Sequence, residues 1–307
     1  MSISNLDLAT FSMPLAALAA VLLDRLLGEL SRFHPLVGFG NLVALLENRL
    51  NHHSRLSGIV SWAIAVLPAF GLALYLRPYA PFATDVALLY FALGAQSLAE
   101  HAEAVAKPLR EGKLDEARQR VGWIVSRETS ALDESGVAKA GVESILENGN
   151  DAIFGTLFWF ALLGGPGALL FRLANTLDAM WGYRTERFNY FGWAAAKIDD
   201  LLNWLPARLT ALTYALLGKT RAALSCWQLQ AANWESPNAG PVMSAGAGSL
   251  GVLLGGAAIY HGQEEIRPPL GIGVAPTAAD LGRAILLIQK SLWLWLALFF
   301  VIGYFHA

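Results

Sequence analysis

The run GIVSWAIAVLPAFGLALYL, residues 58–76, contains no charged side chain over 19 positions. A helix needs about 20 predominantly apolar residues to cross a bilayer, so this run predicts a span. Residues 82–99 predict another, reached through the short turn RPYAP, and residues 284–305 a third, with Trp293 and Trp295 inside it and Tyr304 near its exit. Residues 11–30 add a fourth, in which Asp24 and Arg25 stand near one end, where charge costs less than at the midplane. Only 15% of the chain is charged, against about 25% for soluble domains, and the mean hydropathy is +0.44. These runs predict an all-α, polytopic membrane protein folded as a single domain over residues 1–307. The first Lys or Arg is Arg25, so no cleaved signal peptide is expected. A net charge of −2 provides no basic field for nucleic acid. The lone Cys226 excludes an internal disulfide and any cysteine metal cluster.

Two stretches do not fit simple spans. Residues 152–181 are two apolar runs parted by Leu163-Gly164-Gly165-Pro166-Gly167, a sequence that ends a helix. Each run is too short to cross, which predicts a re-entrant helical hairpin, with its irregular backbone covered by protein. Residues 201–218 carry Pro206 and Arg208 and are expected half-buried or packed inside the bundle, with full spanning left open. Between 100 and 151 lie seven Lys or Arg residues, so this helical region is expected on the cytoplasmic side and both termini outside. The Gly- and Pro-rich segment 235–283 reads as loops with short helices; Gly246, Gly248, Gly251, Gly255 and Gly256 permit close helix packing, the favoured reading, or backbone approach to phosphate.

Chemistry concentrates in the polar stretch SRETSALDESGVAKAGVESILENGND, residues 126–151, which holds six carboxylates. A helix from about 133 to 151 would align Glu143, Glu147 and Asp151 on one face at i, i+4 and i+8. A solvated face explains such a row in many proteins. Here the row runs straight into apolar sequence, where unpaired acids are costly. A divalent cation would offset both the burial and the mutual repulsion. A second acidic cluster follows: Asn175 with Asp178, then Asp199, Asp200 and Asn203, interleaved with Arg184, Arg187, Lys197 and Arg208. Interfacial anchoring would account for the aromatics and arginines there. The acids point instead to metal and polyphosphate. Glu143, Glu147, Asp151, Asp199 and Asp200 are therefore expected to converge on Mg²⁺, with Glu143, Glu147 and Asp200 carrying catalysis. Arg127, Arg184, Lys197, Asn148 and Asn203 would bind the nucleotide phosphates. The chain has neither a P-loop nor a GxGxxG motif.

The segments VGWIVSRETSALDE, GVESILENGNDAIFGTLFWFALLGGPGALLFRLANTLDAMWGYR and FGWAAAKIDDLLNWLPARLTAL resemble the adenosylcobinamide-phosphate synthase family of cobalamin biosynthesis. DRLLGELSRFHPLVGFG and SPNAG…GSLGVLLGG follow in the family's order. The chain departs from it at Val37 and at Pro241, Val242 and Met243, where the family often has an arginine and an aromatic-Pro-Glu run. The resemblance implies an inner-membrane amide ligase, with its active site toward the cytoplasm and Mg²⁺ and ATP as cofactor and co-substrate. It would join the free carboxylate of adenosylcobyric acid to (R)-1-amino-2-propanol O-2-phosphate or a related amino alcohol. The implied partners are corrinoid, amino-alcohol phosphate and membrane lipid; self-association or association with later membrane enzymes of the pathway is left open. The alternative is a non-enzymatic membrane regulator related to the β-lactamase-induction membrane protein.

Overall fold

The computed structural model describes residues 11–29, 35–260 and 262–306. The helices in chain order are α1 (Ser12–Leu27), α2 (Pro35–Leu50), α3 (Arg55–Leu76), α4 (Pro81–Ala92), α5 (Ala95–Arg110), α6 (Leu114–Val121) and α7 (Glu134–Gly149). There follow α8 (Gly155–Leu163), α9 (Gly165–Trp181), α10 (Trp193–Leu202), α11 (Trp204–Leu217), α12 (Thr220–Gln230), α13 (Ala239–Leu250) and α14 (Ala278–His306). Between the last two, β1 (Leu253–Tyr260) and β2 (Gln263–Gly271) form an antiparallel hairpin. The chain is thus mostly helical, and the hairpin corrects the expectation of loops and short helices over 235–283.

Among the described residues, three stretches are long and apolar enough to cross a membrane: Arg55–Tyr79, Pro81–Arg110 and Ala278–Phe305. They coincide with three of the four expected spans. The second is interrupted, because Leu93 is extended (φ −73°, ψ 150°) and parts α4 from α5. The fourth expected span, 11–30, ends at a residue outside the described ones. Its helix α1 has 16 residues, about 24 Å at 1.5 Å per residue, short of the hydrocarbon thickness. The 14 residues of α11 reach about 21 Å and fall shorter still. Pro206 lies in the first turn of α11, where its missing N–H removes no helical hydrogen bond.

The residues separate into two compact units. The first comprises residues up to Gly94, Gly155–Asn203 and the end of α14 from Trp295. Its core joins Trp62, Ala65 and Val66 of α3 to Leu169, Leu173, Leu177 and Trp181 of α9, with Val43 of α2 and Phe191. The expected break between the two apolar runs occurs at Gly164, whose φ of +69° is unfavourable for any residue with a Cβ. The turn is pinned from α4: Asp85 accepts the Gly165 N–H at 2.8 Å and a two-pronged bond from Arg77 at 2.9 Å. An otherwise orphaned donor in the first turn of α9 is satisfied in this way.

The second unit comprises Ala95–Phe154 and Trp204–Leu294. Every residue of α13 is buried. A Cβ on Gly246 would fall 2.7 Å from a Leu146 methyl of α7, and one on Gly248 2.7 Å from the Ala223 Cα of α12. These glycines serve close helix packing, as read from sequence. Helix α7 starts where Asp133 caps it, accepting the Gly136 N–H at 2.7 Å. At its far end the chain widens into a π-helical turn over Asn150–Phe154.

Candidate functional site

Glu143 lies near the middle of α7 and is 2% exposed. A carboxylate so placed must be charge-paired or surrender its charge. It is paired twice. Arg127, in the segment leading to α7, donates to Oε2; Arg267 of β2 donates to the same oxygen at 2.9 Å. The Gly255 N–H donates to Oε1 at 2.7 Å. Burial alone would raise the proton affinity of Glu143, but the two guanidinium charges and these hydrogen bonds overcome it and hold its pKa below the usual carboxylate value.

The β-hairpin explains how Gly255 reaches α7. Leu254 pairs with Leu270 and Gly256 with Arg267, leaving Gly255 opposite Pro268 and Pro269. Prolines have no N–H to offer a ladder, so the pairing breaks there into a bulge. Positive φ at Gly255 and Gly256 (76° and 84°) accommodates it. Freed from the ladder, the Gly255 N–H turns to Glu143, and its carbonyl accepts from Lys139 Nζ at 3.1 Å. The same bulge sets Arg267 beside Glu143, with its guanidinium 5.5 Å over the Trp234 ring.

One turn along α7, Glu147 is in the opposite electrostatic condition. It keeps partial solvent access, yet its carboxylate has no hydrogen-bond donor among the described residues. Burial first, then the charges of Asp151 and Glu143, push its pKa up to about 8; Arg127 and Arg267 oppose the shift. Asp151 stands in the π-helical turn and accepts from the Asn150 side chain at 2.9 Å, and Asn150 in turn accepts from Thr210 at 2.9 Å. Such turns shift side-chain register within a helix and recur at functional sites. Asn148 is exposed and bonds back to Ser144. The structure therefore brings together Arg127, Glu143, Glu147 and Asp151 from the expected set. To these it adds Arg267 and Lys139.

The remaining expected residues belong to the first unit. Asp199 is buried and accepts from Asn175 at 3.3 Å. Asp200 pairs with Lys197 at 2.9 Å, Asn203 is buried in the α10 C-cap, and Arg184 is exposed. Also in this unit, Glu47, 6% exposed, pairs with Arg187 and holds its segment against α2. Sequence spacing revealed the Glu143–Glu147–Asp151 row. It gave no sign of Arg267, which is 124 positions from Glu143.

Among the described residues no group of three or more His, Cys, Asp or Glu side chains is arranged to hold a metal. Glu147 and Asp151 suit a different role. Mg²⁺ takes one or two carboxylates and completes its shell with phosphate oxygens and water. The donors present fit a cation that arrives with a polyphosphate, not one held permanently by protein.

The profile of a family described as "CobD/Cbib protein" matches residues 17–288. A "Cobalamin biosynthesis protein CobD" from Chromobacterium violaceum is 57% identical over 304 residues, covering 94% of this chain and 97% of that protein. One of the same description from Stutzerimonas stutzeri is 56% identical, covering 95% and 99%. One from Mycobacterium tuberculosis is 38% identical, covering 88% and 89%. No solved structure matches.

Proposed function

Since this chain belongs to the CobD/Cbib family, we propose that it is the membrane amide ligase of cobalamin assembly. It joins the free carboxylate of adenosylcobyric acid to (R)-1-amino-2-propanol O-2-phosphate, or to a related amino alcohol, at the expense of ATP. The observation that carries the chemistry is Glu147, a half-buried acid with raised proton affinity one turn from two carboxylate-bound guanidiniums.

A carboxylate is a poor electrophile. Transfer of the γ-phosphoryl group of ATP to the corrinoid carboxylate gives an acyl phosphate and ADP. The amine then attacks the acyl carbon, the amide C–N bond forms and inorganic phosphate leaves. The amine arrives as an ammonium and must lose a proton before it attacks. Glu147 takes that proton, since a base with pKa near 8 is matched to the task at neutral pH. Arg127 and Arg267 face the charge that develops on the transferring group, and Glu143 fixes both in place beforehand. Mg²⁺, held by Asp151 with Glu147 as a neighbour, would neutralise phosphate charge. Asp199 and Asp200 are assigned the same kind of role, and Arg184, Lys197, Asn148 and Asn203 contacts to phosphate.

The reading places residues 100–151 on the cytoplasmic side of the inner membrane, where ATP is. It also makes α8 and α9 a re-entrant hairpin. The nine residues of α8, about 14 Å, support this, being half a span. The test is direct. Purified protein in nanodiscs, given adenosylcobyric acid, amino-alcohol phosphate and Mg-ATP, should form the corrinoid amide and ADP in equal amounts. In cells, deletion should leave growth rescued by cobinamide and not by cobyric acid. Amide formation without ATP, or rescue by cobyric acid, would refute the ligase.

A further inference from the structure

The second unit contains a cavity of about 610 Å³ whose walls include Trp227, Gln228, Trp234, Glu235 and Arg208. Its volume lies within the roughly 300–1,000 Å³ that suits a ligand of nucleotide or drug size. A three-carbon amino alcohol would leave most of it unfilled. Two indoles among its lining, with prolines and alanines between, favour a flat apolar ring.

Arg208 adds a demand for charge. Its guanidinium is fixed by bonds to the Trp204 carbonyl at 2.9 Å, the Pro237 carbonyl at 2.9 Å and the Asn238 Oδ1 at 2.7 Å. All three acceptors are neutral, and no carboxylate pairs with Arg208 among the described residues. A guanidinium has five N–H donors, so about two remain to accept an incoming anion. A half-buried cation with no counterion is most readily stabilised by a charge-assisted bond from its ligand. The cavity also adjoins the ion cluster: its wall residue Trp234 carries Arg267 at 5.5 Å, and Arg267 pairs with Glu143.

We propose that this cavity is the nucleotide subsite. The purine lies against Trp227 and Trp234, Gln228 reads the base edge with its amide, Glu235 accepts from a ribose hydroxyl, and Arg208 binds a phosphate oxygen. The assignment rests on the ligase reading for why a nucleotide is consumed; the binding itself is tested separately.

The probe is ADP in EDTA, titrated calorimetrically into full-length protein in nanodiscs, with amide formation measured in parallel. Wild type should bind ADP. Trp227→Ala should weaken binding roughly tenfold or more, the loss expected when one base–aromatic stack is removed. Trp227→Phe should restore most of it, and Gln228→Ala should narrow the preference for ADP over GDP. Wild type that does not bind ADP overturns the subsite. So does wild-type affinity in both Trp227→Ala and Arg208→Gln. Weakened cobinamide binding with unchanged ADP binding in Trp227→Ala makes the cavity a corrinoid surface and also overturns it. A protein that binds ADP as expected but forms no amide sinks the ligase reading and leaves the subsite standing.

Discussion

Glu147 is a carboxyl group whose surroundings work against its own charge, and three outcomes follow at the level of single residues. As the base for the amine, it should impose a limb on the rate profile: kcat/KM rises with pH up to about 8 and then levels. Glu147→Gln should fold, lose turnover by orders of magnitude and flatten that limb; Asp200→Asn should also lose turnover while folding. Near-normal rates in both at saturating Mg-ATP would place the chemistry away from these acids. Stability carries the opposite sign. Between the ordinary value of 4.5 and about 8, folded Glu147 keeps a proton that the unfolded chain has released. Raising pH through that window therefore destabilises the fold, and Glu147→Gln should remove that dependence in thermal melts. Arg267→Gln acts differently, because it leaves buried Glu143 with Arg127 and the Gly255 N–H. It should cost about 2 kcal/mol in denaturant titration, less than the ~3–5 expected when a buried pair is broken outright.

Among the elements, helix ends and spans were legible because apolar length and Gly-Pro punctuation act locally. The α8–α9 break is an example. Gly164 holds φ +69°, and a Cβ there would fall 2.4 Å from the Arg77 guanidinium. Gly164→Ala should therefore destabilise the protein by about 1–2 kcal/mol, and more if the Arg77–Asp85 bond is lost; a thermal melt decides. The interruption at Leu93 was not legible, since Ala92 and Leu93 continue the apolar run of α4 and the single Gly94 beside them is a weaker stop signal than a Gly-Pro pair. The β-hairpin was hidden for a related reason. Period-2 alternation is broken at Gly255-Gly256 on one strand and at Pro268-Pro269 on the other. Those four residues form the bulge that turns a backbone N–H toward Glu143. What obscured the strands is thus what builds the site. The spacing of the acids on α7 could be read along one helix, whereas Arg267 reaches Glu143 only once a distant hairpin has folded.

For the whole molecule, the first question is which side faces the cell interior. Cys226 is buried, so a single engineered cysteine gives a clean signal. Lys113→Cys should react with an impermeant maleimide in inside-out vesicles and resist it in intact cells. Labelling from outside would reverse the assigned orientation. The two units also alternate along the chain, with junctions after Gly94, Phe154, Asn203 and Leu294. This alternation sets an order during synthesis. A ribosome that has added Leu294 has supplied all of the second unit, yet the first, begun earliest, still lacks its segment from Trp295 onward. The unit begun first is finished last, since it waits for its closing segment through the translation of everything between. A stop codon at 295 would spare the Glu143 cluster and leave the other unit open. Recombination that exchanged either unit between relatives would need four joins in register, which favours inheritance of the chain as one block.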